Sequence, residues 1–548
     1  MAVPSDEPVE NAPEHRSFSR RAVLGGLGAA GLTAGLPGAV AHAEDRADPV
    51  PPGSRRARAY RIREQAAARQ LGLPAAQHHD NGDEAAHPDL IGNYGKGLPH
   101  DGLGRVDPAA YAGMVRAVSG DEPGDLDGIV VDGPVGLANP HAAFTYGLVG
   151  ADSHQLTVPP PPPFAGATTA AEMVELYWQA LCRDVPFAAY DTDPLIAAAC
   201  RDLSRLTGYE GPTEHRRVTP ATVFRGPMPG ALTGPYLSQF LLRDVPFGPA
   251  TIKQTFRVPA PRDDHLTDYD EWLRNIRGHQ PERESAYDGT ARYPRNGRDL
   301  AEYSRLNFAH QPYLMATLLL IDQGPDAWDR NNPYLRANTR PGVTFDWSHP
   351  LDLVTRVVQA AQLAAWFQKW CVHRRLRPEE FAGHAHNHAL GRVDHPLHPQ
   401  LLDAEAPDRV RAEHGTLLLP MAYPRGCPTH PSYTAAHATV AGACATVLKA
   451  FYDEAFVLRD PVVPSADGTS LRRYPGPPLT VGGELDKLAF NAAYGRNFAG
   501  VHWRSDTTAG LLLGEQVADH LLADLRRTLT EEFDGFTYTR FDGTTAIV

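Results

Sequence analysis

The sequence predicts an all-α fold, and three observations carry that prediction. Apolar residues recur every three or four positions over several long segments. One further segment is almost entirely small or apolar over the length of a helix. No alternating apolar and polar run of comparable length suggests a strand, and no internal repeat is present.

Taken in chain order, the first 43 residues read as a twin-arginine export signal. Arg20 and Arg21 precede Ala22, Val23 and Leu24, a Gly/Ala/Leu stretch runs to Val40, and small residues end at Ala43 before acidic ones. Residues 44–92 are polar, with His and Pro, and are expected to be extended. The proline run Pro159 to Pro163 predicts a stiff loop, since five prolines give up five backbone donors.

Helices are expected next. Thr169 to Arg183 carries a helical period, with Thr168 or Thr169 as its N-cap and Asp184 to Pro186 as its stop. Leu351 to Val372 repeats the period through Val354, Val358, Ala361, Ala365 and Cys371. Thr434 to Tyr452 is the small, apolar segment, which predicts a helix buried and closely approached on several sides. Glu484 to Arg496 and Asp506 to Leu525 read as two more helices joined by a short loop.

Composition bounds the function. With 548 residues, 42% of them apolar, the chain has material for a large core. A net charge of −13 excludes a generally basic face of the kind that nucleic acid or an anionic membrane requires, so any cationic site is local. Beyond the signal, no run reaches the roughly 18 apolar residues of a membrane span. Cys182, Cys200, Cys371, Cys427 and Cys444 lack CxxC spacing, which argues against a zinc cluster or a dense disulfide framework and leaves room for one bridge. Buried thiols are common, and that reading is preferred for Cys371 and Cys427 over a nucleophilic one.

Three segments concentrate the chemistry: KWCVHRRLRP from Lys369, PTHPSYTAAHA from Pro428, and GRNFAGVHWRSD from Gly495. Lys369 and Arg377 flank a predicted helix end, with Pro378 just after. Arg496 and His502 span another helix end, and Asp506 follows four residues on. Three cations suit a multiply charged tetrahedral anion such as vanadate or phosphate, and the arginine fork matches two oxygens. His502 would bond the central atom while a carboxylate, with Asp506 one candidate, orients its other ring nitrogen. His437, at the start of a buried helix whose free N–H groups favour anions, would act from the opposite side as acid or base. Singly, each has a plain explanation as a solvated lysine, a surface ion pair or a core histidine. Their joint occurrence favours the anion site.

Together the three segments resemble, in order, the motifs of the vanadium-dependent haloperoxidases, which share a site plan with a superfamily of histidine acid phosphatases. Asn93 to Asp101, Glu175 to Phe187 and Gly234 to Leu241 resemble the family's bacterial and red-algal branch, so the likeness runs from about Asn93 to Gly514. It implies two four-helix-bundle units with long loops: residues 93–330 for the first and 331–548 for the second, which carries the site. It further implies vanadate held by Lys369, Arg377, Arg496 and, as the ligand to vanadium, His502. Hydrogen peroxide would then oxidise a halide, which halogenates an electron-rich organic substrate while vanadium keeps its oxidation state as a Lewis acid.

One motif departs from the family. Where it normally reads Pro-Ser-Gly-His, this chain has Thr434, Ala435, Ala436 and His437. Loss of the serine hydroxyl removes a hydrogen bond worth about 1 kcal/mol, and up to about 3 with a charged partner. Ala436 keeps a backbone N–H for the anion but disfavours any positive φ that glycine would permit.

Two functions follow. The first is a working haloperoxidase serving one organic substrate, for which a meroterpenoid is one example. The second is a halogenation-independent isomerase with phosphate, or a phosphorylated His502, in the site. A third, an oxyanion-binding protein, leaves the acid/base histidine unexplained. The expected partners are peroxide, halide and a small organic molecule, and a homodimer is compatible with the sequence. The mature protein is expected outside the cytoplasm. His430 resembles a second histidine placed near the halide in bromide-using relatives; a turn histidine is the equal alternative. His384, His386 and His388 are expected in a solvated loop, and Trp366, Trp370 and His373 either shape the pocket or fill the core.

Overall fold

Helix formation follows the predicted periods, with boundaries set by caps that tertiary contacts choose. The computed structural model describes residues 51–228 and 230–548. The expected export signal at 1–43 lies outside them. Residues 44–92 are not all extended: α1 spans Arg55–Leu71. Its alanines, arginines and glutamines are strong helix formers even without an apolar period.

The helix predicted from Thr169 is α2, Ala167–Cys182, and its N-cap is Gly166. The Thr169 hydroxyl donates instead to Pro163 O at 2.8 Å, so it ties the helix to the proline run. Helix α3 spans Gly297–Leu306. Helix α4, Ser348–Phe367, ends earlier than its apolar period and passes into a π-helical turn, Gln368–His373, that holds Lys369. Such widened turns are frequent at functional sites. Helix α5 follows at Pro378–Ala389, with Pro378 at its first position, where no backbone donor is missed. His384 and His386 lie within it and are buried, which corrects the expected solvated loop.

The small-residue segment forms α6, Ala436–Phe451, followed by α7, Val481–Phe498, and α8, Arg504–Thr528. α6 packs most extensively on α8 and also on α4 and α7. Glycines make that approach possible. A Cβ at Gly442 would lie 2.1 Å from Leu511 O, and one at Gly514 would lie 2.0 Å from Thr439 O. With nothing but hydrogen there, the two backbones touch along one seam, and the first turns of α6 and α8 are brought together.

Among the described residues the strands pair only as four two-stranded antiparallel ladders, the longest strand being Tyr287–Arg292. Ala59–Val548 forms one compact unit. All five cysteines are free. No helix among the described residues is long and apolar enough to cross a membrane.

Candidate active site

The site forms where three chain segments end. These are the π turn and the loop after it, the approach to α6, and the loop between α7 and α8. Ala435 N donates to Asp506 O at 3.0 Å and Ser432 N to Arg375 O at 3.0 Å, so backbone bonds register the three segments directly.

Lys369 is fully buried, and its ammonium donates to Pro431 O at 2.8 Å and Ser432 O at 2.7 Å. Burial first, then Arg377 and Arg496, hold its pKa well below that of a free lysine, against the opposing pull of Asp506. Arg377, equally buried, donates to His430 O at 2.9 Å and Val501 O at 2.7 Å. Its remaining N–H groups approach His430 Nδ1 at 2.9 Å and His502 Nε2 at 3.1 Å. Arg496 is half-buried over the Tyr423 ring at 5.2 Å, and its Nε has no hydrogen-bond partner among the described residues. Among the described residues no carboxylate oxygen lies within 4.0 Å of the side-chain nitrogens of these three cations. They are satisfied only by neutral groups.

His502 Nδ1 donates to Asp506 Oδ2 at 2.8 Å. Burial, then Arg377, Lys369, Arg496 and His437, hold the His502 pKa well below the usual imidazole range. It is therefore neutral, with Nδ1–H set by the carboxylate and a lone pair on Nε2. Asp506 is the third residue of α8, and its Oδ2 also accepts Trp503 N at 3.1 Å, which caps the helix.

His437 is the second residue of α6, half-buried, with no hydrogen-bond partner among the described residues. Burial, then Arg496 and Lys369, lower its pKa to about 3, so it too is neutral. His430 packs at 4.8 Å on Trp366 and shares Arg377 with His502, so the structure brings it into the cluster. Trp370 is core, against Tyr94, and His373 packs on Tyr433.

The altered motif is now interpretable. Thr434 is buried with its hydroxyl 3.3 Å from that of Thr439, so that hydroxyl is engaged away from the cations and is not offered to an anion between them. Ala436 opens α6 with helical backbone, and the positive φ that glycine would favour is not required. Ala435 is the N-cap and makes no side-chain cap.

Sequence reasoning passed over Arg375, Ser432 and Glu172. Arg375 NH1 donates to Asp506 Oδ1 at 3.0 Å and NH2 to Glu172 Oε2 at 3.0 Å, while the Ser432 hydroxyl donates to Asp506 Oδ2. Arg375 stands in the first motif among near-identical neighbours, and spacing alone could not separate it from Arg374.

A helical fold that gathers three cations, without a direct ion pair among the described residues, around a neutral, carboxylate-oriented histidine has the chemistry of a site for an oxyanion. Comparison makes that chemistry specific. Residues 343–531 match the model of the VCPO second helical-bundle domain. The chain is 36% identical to a vanadium-dependent bromoperoxidase of Ascophyllum nodosum, over 91% of this chain and 93% of that one. It is 33% identical to the vanadium-dependent bromoperoxidase of Corallina officinalis, over 85% and 92% respectively. The homohexameric structure of a second vanadate-dependent bromoperoxidase from Ascophyllum nodosum superposes with a TM-score of 0.85 over 93% of each chain, at 28% identity. The chain belongs to the vanadium-dependent haloperoxidase family.

Proposed function

We propose that this protein is a vanadium-dependent haloperoxidase that oxidises halide with hydrogen peroxide and halogenates an electron-rich organic molecule. The observation that carries this is that, among the described residues, no carboxylate forms an ion pair within 4.0 Å of Lys369, Arg377 or Arg496. Gathering two buried cations and a half-buried one without a direct ion pair is costly, and a multiply charged anion offsets that cost.

The residues fit vanadate. Lys369, Arg377 and Arg496 would hold its oxygens, the first N–H groups of α6 including that of Ala436 would add donors, and Nε2 of His502 would bond vanadium. Bound there, vanadate supplies a Lewis-acid centre that makes peroxide electrophilic toward halide. His437, neutral and without a hydrogen-bond partner among the described residues, would accept a proton from incoming peroxide on a ring nitrogen and return it to the oxygen that departs as water. The contacts of His430 with Arg377 and Trp366 support a role for it beside a halide approaching the same cations.

A second reading rests on Thr434, Ala435 and Ala436, which bring no hydroxyl to the cage. In it, phosphate fills the site, or His502 is itself phosphorylated, and the protein rearranges its organic substrate without redox chemistry. Adding vanadate, peroxide and bromide to the protein with a phenol-type dye separates the two: bromination supports the first reading, and phosphate uptake without bromination the second. The twin-arginine signal supports an exported protein. The homohexameric relative supports self-association of this chain.

A further inference from the structure

We infer that Arg375 is a positioning residue: held by Glu172 of α2, it fixes the Asp506 carboxylate that orients His502. The geometry forms a closed network. Asp506 is fully buried, and Oδ2 accepts His502 Nδ1, the Ser432 hydroxyl and Trp503 N. Those three donors all act on one oxygen. The other oxygen, Oδ1, accepts Arg375 NH1 at 3.0 Å, a charge-assisted bond that holds the carboxylate plane from its second side.

Arg375 is itself over-determined. Its NH1 also reaches Ser505 Oγ at 2.7 Å, its NH2 reaches Glu172 Oε2 at 3.0 Å, and its guanidinium lies 4.8 Å from the Trp503 ring centroid. The second Glu172 oxygen accepts Ser505 N at 2.5 Å, so one carboxylate from α2 grips both the arginine and the start of α8. A planar fork between two buried carboxylates transmits orientation in a way that a flexible lysine cannot. The tautomer of a histidine follows from the acceptor on its far nitrogen, so a fixed Asp506 keeps the proton on Nδ1 and the lone pair on Nε2. Arg375 has no hydrogen bond to Lys369, Arg377, Arg496, His437 or His502, and its side chain reaches His502 through Asp506.

The inference depends on the oxyanion reading only for one of its two readouts. Ring-¹⁵N-labelled histidine in the full chain, with the His502 signals assigned from His502→Gln, reports the tautomer. Calorimetric titration with orthovanadate, and separately with inorganic phosphate, reports affinity. Native protein should show Nδ1–H at His502. Arg375→Met should mix the tautomers and weaken anion binding at least tenfold, and Arg375→Lys should recover part of both. Ser432→Ala, which leaves every charge in place, should shift them in the same direction by less. If Arg375→Met fails to fold, Ser432→Ala and Arg375→Lys decide alone. Variants that lose thermal stability yet keep the native tautomer, with affinity within twofold, would show Arg375 to be a fold cross-link and overturn the inference. If neither anion binds native protein, the oxyanion reading fails and the tautomer still decides the role of Arg375.

Discussion

At the scale of single residues, the two neutral histidines divide the work by their partners. His502 has a carboxylate on one nitrogen and Arg377 on the other, whereas His437 has no hydrogen-bond partner among the described residues. Replacing His502 by alanine should abolish vanadate-dependent turnover and weaken vanadate uptake, while His437→Ala should slow turnover about a hundredfold or more with uptake largely kept. Equilibrium binding beside steady-state rates checks this, and two variants alike in both would show the roles to be misassigned. Ala435 and Ala436 carry the second test at this scale. Ala435→Ser with Ala436→Gly should raise halogenation if the lost hydroxyl limits it. Serine at position 435 also gives α6 the N-cap it lacks, worth about 1 kcal/mol. Ala435→Ser alone, compared by thermal melting, separates helix stabilisation from a gain at the anion.

At the scale of elements, the seam between α6 and α8 fixes the distance between His437 and the Arg504–Asp506 turn. Gly442→Ala would press a methyl against Leu511 O and Gly514→Ala one against Thr439 O. Each should destabilise the fold by about 1–3 kcal/mol. Each should also reduce anion affinity, because the first turns separate together; denaturant unfolding and vanadate titration on the same preparations read both effects. This scale also shows what the sequence made legible. The long helices were legible because burial imposes a period on apolar residues, and the three motifs were legible because their cations and histidines stand close together in sequence. The π turn was not, since residues 368–373 continue the apolar pattern of α4 while the backbone widens. α5 was misread because Gly383, His384, His386 and Asn387 have loop composition. Its glycine instead admits Trp272, whose Cζ2 would lie 1.8 Å from a Cβ at that position. Glu172 was out of reach because its partner Arg375 is 203 residues away.

At the scale of the whole molecule, buried neutral histidines set the response to acid. Burial lowers His384 and His373 to about 3 and His100 and His265 to about 4. An unfolded histidine titrates near 6.5, so between that value and the folded pKa the unfolded chain binds more protons and stability falls as pH falls. Each such site contributes a slope of about 1.4 kcal/mol per pH unit once its unfolded form is charged. Asp486 and Glu380, raised by burial to about 7, act in the opposite direction, because their native protonated forms are favoured as pH falls. A single replacement isolates one histidine: His384→Phe should flatten the dependence of unfolding free energy on pH between about 4 and 6 by about one proton. An unchanged slope in urea titrations across that range would show that His384 is not held neutral.

The cation cage is the feature on which the functional account depends, and vanadate-dependent activity tests it most directly. Protein freed of bound oxyanion, titrated with orthovanadate in the presence of peroxide and bromide, should brominate a phenol-type dye at a rate that rises and saturates with vanadate, and Lys369→Met should shift the titration to weaker binding. No bromination at saturating vanadate, with the protein folded and the anion bound, would contradict the haloperoxidase assignment.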